Sequence, residues 1–182
     1  MKNYILALKR ISLIMVTILL VNAVSAQSNS KIKKLKKDSQ TAKAAFIKGD
    51  ALMSSLFSSS YAYVIFPNVG KGGLGIGGAA GNGIVYRNGV AIGSAKMKQL
   101  TIGFQAGGQA YREVIFFESQ NDLDRFKEDK FELSAQASAV AVTEGASANV
   151  KYREGVMIFT QTKGGLMYEA SVGGQKFDFS SF

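Results

Sequence analysis

The sequence predicts an α+β protein, mostly β: an antiparallel, strand-rich barrel or sandwich with an N-terminal amphipathic helix and one short inserted helix. Three observations predict it. From Tyr61 onward, short apolar runs alternate with glycine-rich breaks, the spacing of strands and turns. The 182 residues hold 20 glycines and one proline without a Pro or Ser repeat, so the glycines need a structural use. Before Tyr61, the stretch Lys31–Lys48 carries a helical period instead.

The elements follow in order. Lys2, Lys9 and Arg10 precede the apolar run Ile11–Val21, and Val24-Ser25-Ala26 closes it. Together they read as a signal peptide over residues 1–26, cleaved after Ala26. The run is shorter than the roughly 20 residues that span a bilayer, and Lys9 and Arg10 would interrupt a longer anchor. The mature protein is therefore expected outside the cytoplasm: periplasmic, envelope-associated or secreted. With no cysteine in the chain, it cannot be a conventional lipoprotein.

Residues 27–50 form a basic helical extension. Ile32, Leu35, Ala42 and Phe46 recur at helical spacing, with Ser39 filling the remaining place in the stripe. Lys31, Lys33, Lys34, Lys36, Lys37, Lys43 and Lys48 stand against Asp38 and Asp50, a net charge of +5. Of the overall +9, only +1 then belongs to residues 51–182. A folded domain so nearly neutral is a poor nucleic-acid binder, because that function needs a basic patch on the domain itself. The amphipathic helix has two uses: lying on an anionic membrane, where each Lys contributes roughly 1 kcal/mol, or docking its narrow stripe on the domain while the lysines face water.

Residues 51–182 are the glycine-rich β domain. Tyr61–Phe66 reads as a strand ended by Pro67-Asn68. Gly83–Arg87 and Val90–Gly93 flank Asn88-Gly89, a strong signal for a two-residue hairpin turn with φ > 0 at both positions. Leu100–Ala106 and Ala110–Phe117 are strands around Gly107-Gly108. Ser119 is an N-cap with Asp122 three residues on, which opens a short helix over Ser119–Lys130. Strands are then expected over Phe131–Thr143, turning near Glu144-Gly145, and over Ala146–Tyr152, Val156–Thr160, Leu166–Val172 and Gln175–Phe179.

Two features suggest an internal repeat. Val64-Ile65-Phe66 precedes Lys71-Gly72-Gly73-Leu74, and Met157-Ile158-Phe159 precedes Lys163-Gly164-Gly165-Leu166. A duplicated hairpin would place the two Lys-Gly-Gly turns at related positions in two pseudo-symmetric layers. Within the first copy, Gly73, Gly75 and Gly78 match a dinucleotide fingerprint formally. No helix or distant acid follows, and Lys71 lacks the Ser or Thr of a phosphate P-loop. Read with a strand period, Gly73, Gly75 and Gly77 share a face bare of side chains. Such a strip admits a close neighbour, whether a packed ring or a ligand. Lys71 and Lys163 at the two turns, beside exposed backbone N–H groups, would suit a phosphate head group.

Catalysis starts from a poor inventory. No Cys and no His removes thiol nucleophiles and the usual general base and zinc ligand. Asp122, Asp124, Glu128 and Asp129 cluster on the predicted helix, where a solvated face explains them. Glu113, Glu118, Glu144, Glu154 and Glu169 show no pairing. No enzyme activity, cofactor or metal is expected. An outer-membrane β-barrel, the other reading that export and glycine invite, needs about 10-residue strands with alternating polarity. Phe177 and Phe179 fall on the wrong alternation from Phe182 for that pattern.

Four blocks then resemble a known family. Tyr63–Gly78 (YVIFPNVGKGGLGIGG), Leu100–Gln109 (LTIGFQAGGQ), Val114–Phe117 (VIFF) and Lys163–Met167 (KGGLM) look like the SYLF lipid-binding domain, in the family's order and over roughly residues 40–180. The resemblance implies a non-enzymatic domain that binds phosphatidylinositol-type or other anionic phospholipid, assisted by a basic N-terminal helix. The matching lipid-binding positions are Lys31, Lys33, Lys34, Lys36 and Lys37 on the helix and Lys71 in Lys-Gly-Gly; Lys163 joins them from the reading of the second turn. Gly72, Gly73, Gly75, Gly77, Gly164 and Gly165 are the expected close-approach glycines. Some eukaryotic members bind actin, which an exported copy is not expected to meet.

Overall fold

The computed structural model describes residues 29–103, 109–128, 131–134, 137–163 and 170–182. Two compact units divide at Lys34/Leu35. Of the first, residues 29–34 are described; they are helical, with Lys31, Lys33 and Lys34 exposed. The signal-peptide expectation falls outside the described residues.

The second unit is α+β and mostly β, as the sequence predicts. Helix α1 (29–49) enters it at Leu35, and a short helix α2 (Met53–Ser59) follows. Then come β1 (Ala62–Arg87), β2 (Val90–Gly103), β3 (Gln109–Phe117), α3 (Gln120–Lys127), β4 (Phe131–Glu132), β5 (Ser138–Ala141), β6 (Val156–Thr162), β7 (Ala170–Ser171) and β8 (Lys176–Ser181). The strands form one sheet in the order β4-β8-β2-β1-β3-β6-β5-β7, curled into a half-barrel. All pairings are antiparallel except β5 with β6.

The run of apolar residues at the start of β1 is explained by two cores, one on each face of the sheet. Tyr63 and Ile65 face a cluster with Ala42 and Phe46 of α1, Met53 and Phe57 of α2, and Val114 and Phe116 of β3. Val64 and Phe66 face the other, with Ile115, Phe117, Leu123, Phe126 and Phe177. A strand covered on both faces loses the polar alternation of a half-exposed one. Phe57 meets the rings of Tyr63 and Phe116 at 5.0 and 4.9 Å, and Phe126 meets those of Phe117 and Phe177 at 4.9 and 5.2 Å. Side chains of this size contribute roughly 1.5–3 kcal/mol each when fully buried. An outer-membrane barrel would turn an apolar band to lipid, yet protein covers these central strands on both sides.

β1 is not straight. Its 26 residues would reach roughly 85 Å at full extension, yet Tyr63 stacks on Tyr86 with ring centroids 5.1 Å apart. A Cβ at Gly83 would lie 2.8 Å from the Ile65 carbonyl oxygen, too close for any side chain. The arm up to Lys71 pairs with β3, and the arm from Gly75 pairs with β2. The arms lie side by side, and the chain reverses in the glycine stretch between them.

Local signals were legible. Asn88 and Gly89 turn with φ of 51° and 76°, as the hairpin signal requires. Ser119 caps α3 in a capping box with Asp122. Asp122 is therefore a buried cap and not part of a solvated face; Asp129 lies outside the described residues. Other expectations are corrected. Pro67-Asn68 does not end the first strand: the register slips between Phe66 and Val69 and pairing resumes. A bulge is where a strand tolerates proline, whose missing N–H then costs no ladder bond. The segment expected as strand Ala146–Tyr152 is turn and coil, and Phe131–Thr143 yields only β4 and β5. Helix α3 stops at Lys127, and α2 was not foreseen.

The repeat is corrected as well. Val64-Ile65-Phe66 and Met157-Ile158-Phe159 do not form separate layers; they flank β3 on its two edges. Phe66 stands opposite Glu113 and Phe159 opposite Val114, a stagger of one residue. One residue of slip turns side chains to the other face, and Phe66 and Phe159 accordingly belong to different cores.

Candidate functional site

The sheet brings the two Lys-Gly-Gly segments to one place. Lys71 pairs with Gln109 on one edge of β3, and the Lys163 N–H donates to the Ala110 carbonyl on the other, at 3.0 Å. Two strand spacings separate their backbones, about 10 Å. The bulge at Pro67 completes the arrangement. It leaves Asn68 exposed, and the Lys163 amino group donates to Asn68 Oδ1, reaching across β3 to the strand that carries Lys71. Lys71 itself is half-buried and has no ion-pair partner among the described residues. Gln109 and Ala110 are consecutive in β3, so the Lys71 and Lys163 side chains leave opposite faces of this end of the sheet.

The helix lysines divide by position. Lys37 and Lys48 are exposed, while Lys36 is half-buried with its amino group 4.0 Å above the Phe182 ring. Lys43 is committed to the fold: it donates to the Tyr63 hydroxyl at 3.2 Å and lies 4.8 Å from the Phe57 ring centroid. From Leu35 on, the apolar stripe of α1 is spent on the domain, since Ser39, Ala42 and Phe46 are buried. Of the two uses open to this helix, docking is the one its stripe serves.

The glycines have several fates. Gly72 is exposed and Gly77 buried, and the backbones of Gly73 and Gly75 are extended. Gly164 and Gly165 lie outside the described residues. Among the glycines whose surroundings are described, close approaches occur at positions that sequence reasoning did not select. The Phe179 ring covers Gly93 so closely that a Cβ there would lie 2.4 Å from it, and Phe66 covers Gly83 in the same way. These contacts join segments 86 and 17 residues apart in the chain, so no local pattern marks them.

The described residues thus form a strand-rich half-barrel on which a basic helix is docked. Residues 98–180 match the family model Ysc84, described as Las17-binding protein actin regulator. The chain is 29% identical over 124 residues to Beta cell expansion factor A of Aeromonas veronii, covering 67% of this chain and 47% of that one. It thus spans about half the length of the curated relative it matches. Residues 98–180, a little under half of the chain, match a model of the family that its sequence blocks resemble.

Proposed function

We propose that this is a non-enzymatic lipid-binding protein of the cell envelope, which contacts anionic phospholipid through lysines and not through an inserted apolar helix face. The observation that carries the reading is that Lys71 and Lys163 flank the same end of β3, opposite Gln109 and Ala110, so that each face of the sheet carries a lysine there, the second held by Asn68. The family association with lipid supports it. The exposed lysines of α1 add cations whose attraction to an anionic surface falls off within a Debye length, about 8–10 Å at physiological salt.

Flotation of the purified protein with vesicles tests this. Binding is expected to phosphatidylcholine vesicles that contain phosphatidylglycerol, weakening as salt rises, and not to phosphatidylcholine alone. Lys71→Ala with Lys163→Ala should lower that binding severalfold at an unchanged melting temperature. Equal binding to both vesicle types overturns the electrostatic reading. We further propose that the chain is exported and cleaved after Ala26, so protein from an envelope fraction should begin at Gln27. A start at Met1 overturns the cleavage.

A further inference from the structure

A cleft of about 710 Å³ opens beside β5, with neither Lys71 nor Lys163 in its lining. The chain builds it by leaving the sheet and returning. β5 pairs with β6 over only two residues, Val140 with Phe159 and Ala141 with Thr160. The chain then turns through residues 144–149, pinned where the Ser147 N–H and hydroxyl donate to the buried Asp50 carboxylate at 2.8 and 2.7 Å. It comes back as the segment 149–154, which belongs to no strand of the sheet apart from an isolated bridge between Arg153 and Val156.

That segment alternates. Val150 and Tyr152 are half-buried against the core, whereas Lys151 and Arg153 are exposed. All four line the cleft, together with Leu133, Ala137, Val140, Met157 and Ile158. The space therefore has an apolar lining and a basic rim. Among the described residues neither the Lys151 nor the Arg153 side chain has an ion-pair or hydrogen-bond partner. Glu154 is the one acid in the lining, so the rim is left with a net charge of +1. The volume falls within the roughly 300–1,000 Å³ of small-molecule sites.

We propose that this cleft binds a long-chain fatty acid, its acyl chain along Leu133, Val140 and Ile158 and its carboxylate at Lys151 and Arg153. An arginine fork matches a carboxylate in two parallel hydrogen bonds, and a monoanion balances the rim. The inference rests on the lipid-binding reading above, but it assigns the chain of the lipid to a site separate from the one that meets a membrane surface.

Titration of the full chain with oleate, followed by displacement of a fluorescent fatty acid, tests it. One oleate per protein is expected, with oleyl alcohol at least tenfold weaker. Lys151→Glu with Arg153→Glu should cost oleate tenfold or more; both side chains are exposed, so the fold is not at stake. Ala137→Phe should fill the cleft and abolish binding, with far-UV circular dichroism reporting its folding. Oleate binding that both variants leave unchanged overturns the cleft assignment. If anionic vesicles bind and oleate does not, the cleft assignment fails while the surface reading stands. If oleate binds at the cleft and vesicles do not, the surface reading fails and the cleft assignment stands.

Discussion

Asp50 and Glu113 are both buried carboxylates, yet the fold treats them in opposite ways. Asp50 lies at the α1–α2 junction, where Leu52 N–H donates to Oδ1 at 3.0 Å and Ser147 donates twice to Oδ2. Burial raises its proton affinity, but the hydrogen bonds from Ser147 and Leu52 outweigh this and hold the carboxyl below its ordinary range. Glu113 sits within the half-barrel and receives one hydrogen bond, from Gln175 at 3.0 Å. Among the described residues its Oε1 has no hydrogen-bond partner, and neither do Thr160 Oγ1 and Gln175 Oε1 beside it. Burial therefore dominates and pushes its carboxyl up to about 7, with the Gln175 bond only partly opposing it. Burial alone does not set the charge of a carboxylate; the number of donors aimed at it does.

The largest expected effect comes from Glu113. The folded protein holds this proton more tightly than the unfolded chain, whose carboxyl has its ordinary value of 4.5. The associated stability is fully present below that value and is lost as pH rises toward about 7. A gap of this size corresponds to about 3 kcal/mol at 1.36 kcal/mol per pH unit. Tyr111 on β3, Thr160 on β6 and Gln175 before β8 face the carboxyl, and none carries a charge near neutrality. Glu113→Gln should remove this pH dependence and raise the melting temperature at pH 8 relative to the native protein. Parallel stability curves for the two proteins between pH 5 and pH 8 would show that Glu113 is ionised throughout or screened by water.

The contrast also marks how much was legible in the sequence. Elements set by local chemistry were read correctly: the Asn88-Gly89 turn, the Ser119 cap and the helical stripe of α1. What failed depended on distant partners. Pro67-Asn68 looks like a strand end because its bulge exists only against β3. Ala146–Tyr152 was expected as a strand, but a carboxylate 97 positions before Ser147 holds it as a turn. At the candidate site the lysines were legible as residue types, whereas their positions flanking one end of β3 follow from strand order. The cleft beside β5 had no signal at all, since it is a space left by a segment that departs from the sheet.

The smaller effect belongs to Asp50, and it tests whether a satisfied carboxylate stabilises the fold by bridging two regions. Asp50→Ala leaves the Ser147 and Leu52 N–H groups without their acceptor, a loss of about 1–3 kcal/mol for buried donors. Its sign with pH is the reverse of that of Glu113. Stability from Asp50 is present above the ordinary carboxyl value of 3.8 and disappears as pH falls through the lower folded value. At neutral pH, Asp50→Ala should therefore melt earlier, and the difference from the native protein should shrink on acidification. Ser147→Ala removes only the hydroxyl and keeps the backbone donor, so it should cost about half as much or less. Because Ser147 pins the turn that leads into residues 149–154, amide exchange of that segment should accelerate in Asp50→Ala before the strands of the sheet do. Uniform acceleration across the sheet and the segment would mean that Asp50 supports the global fold, and not this local bridge.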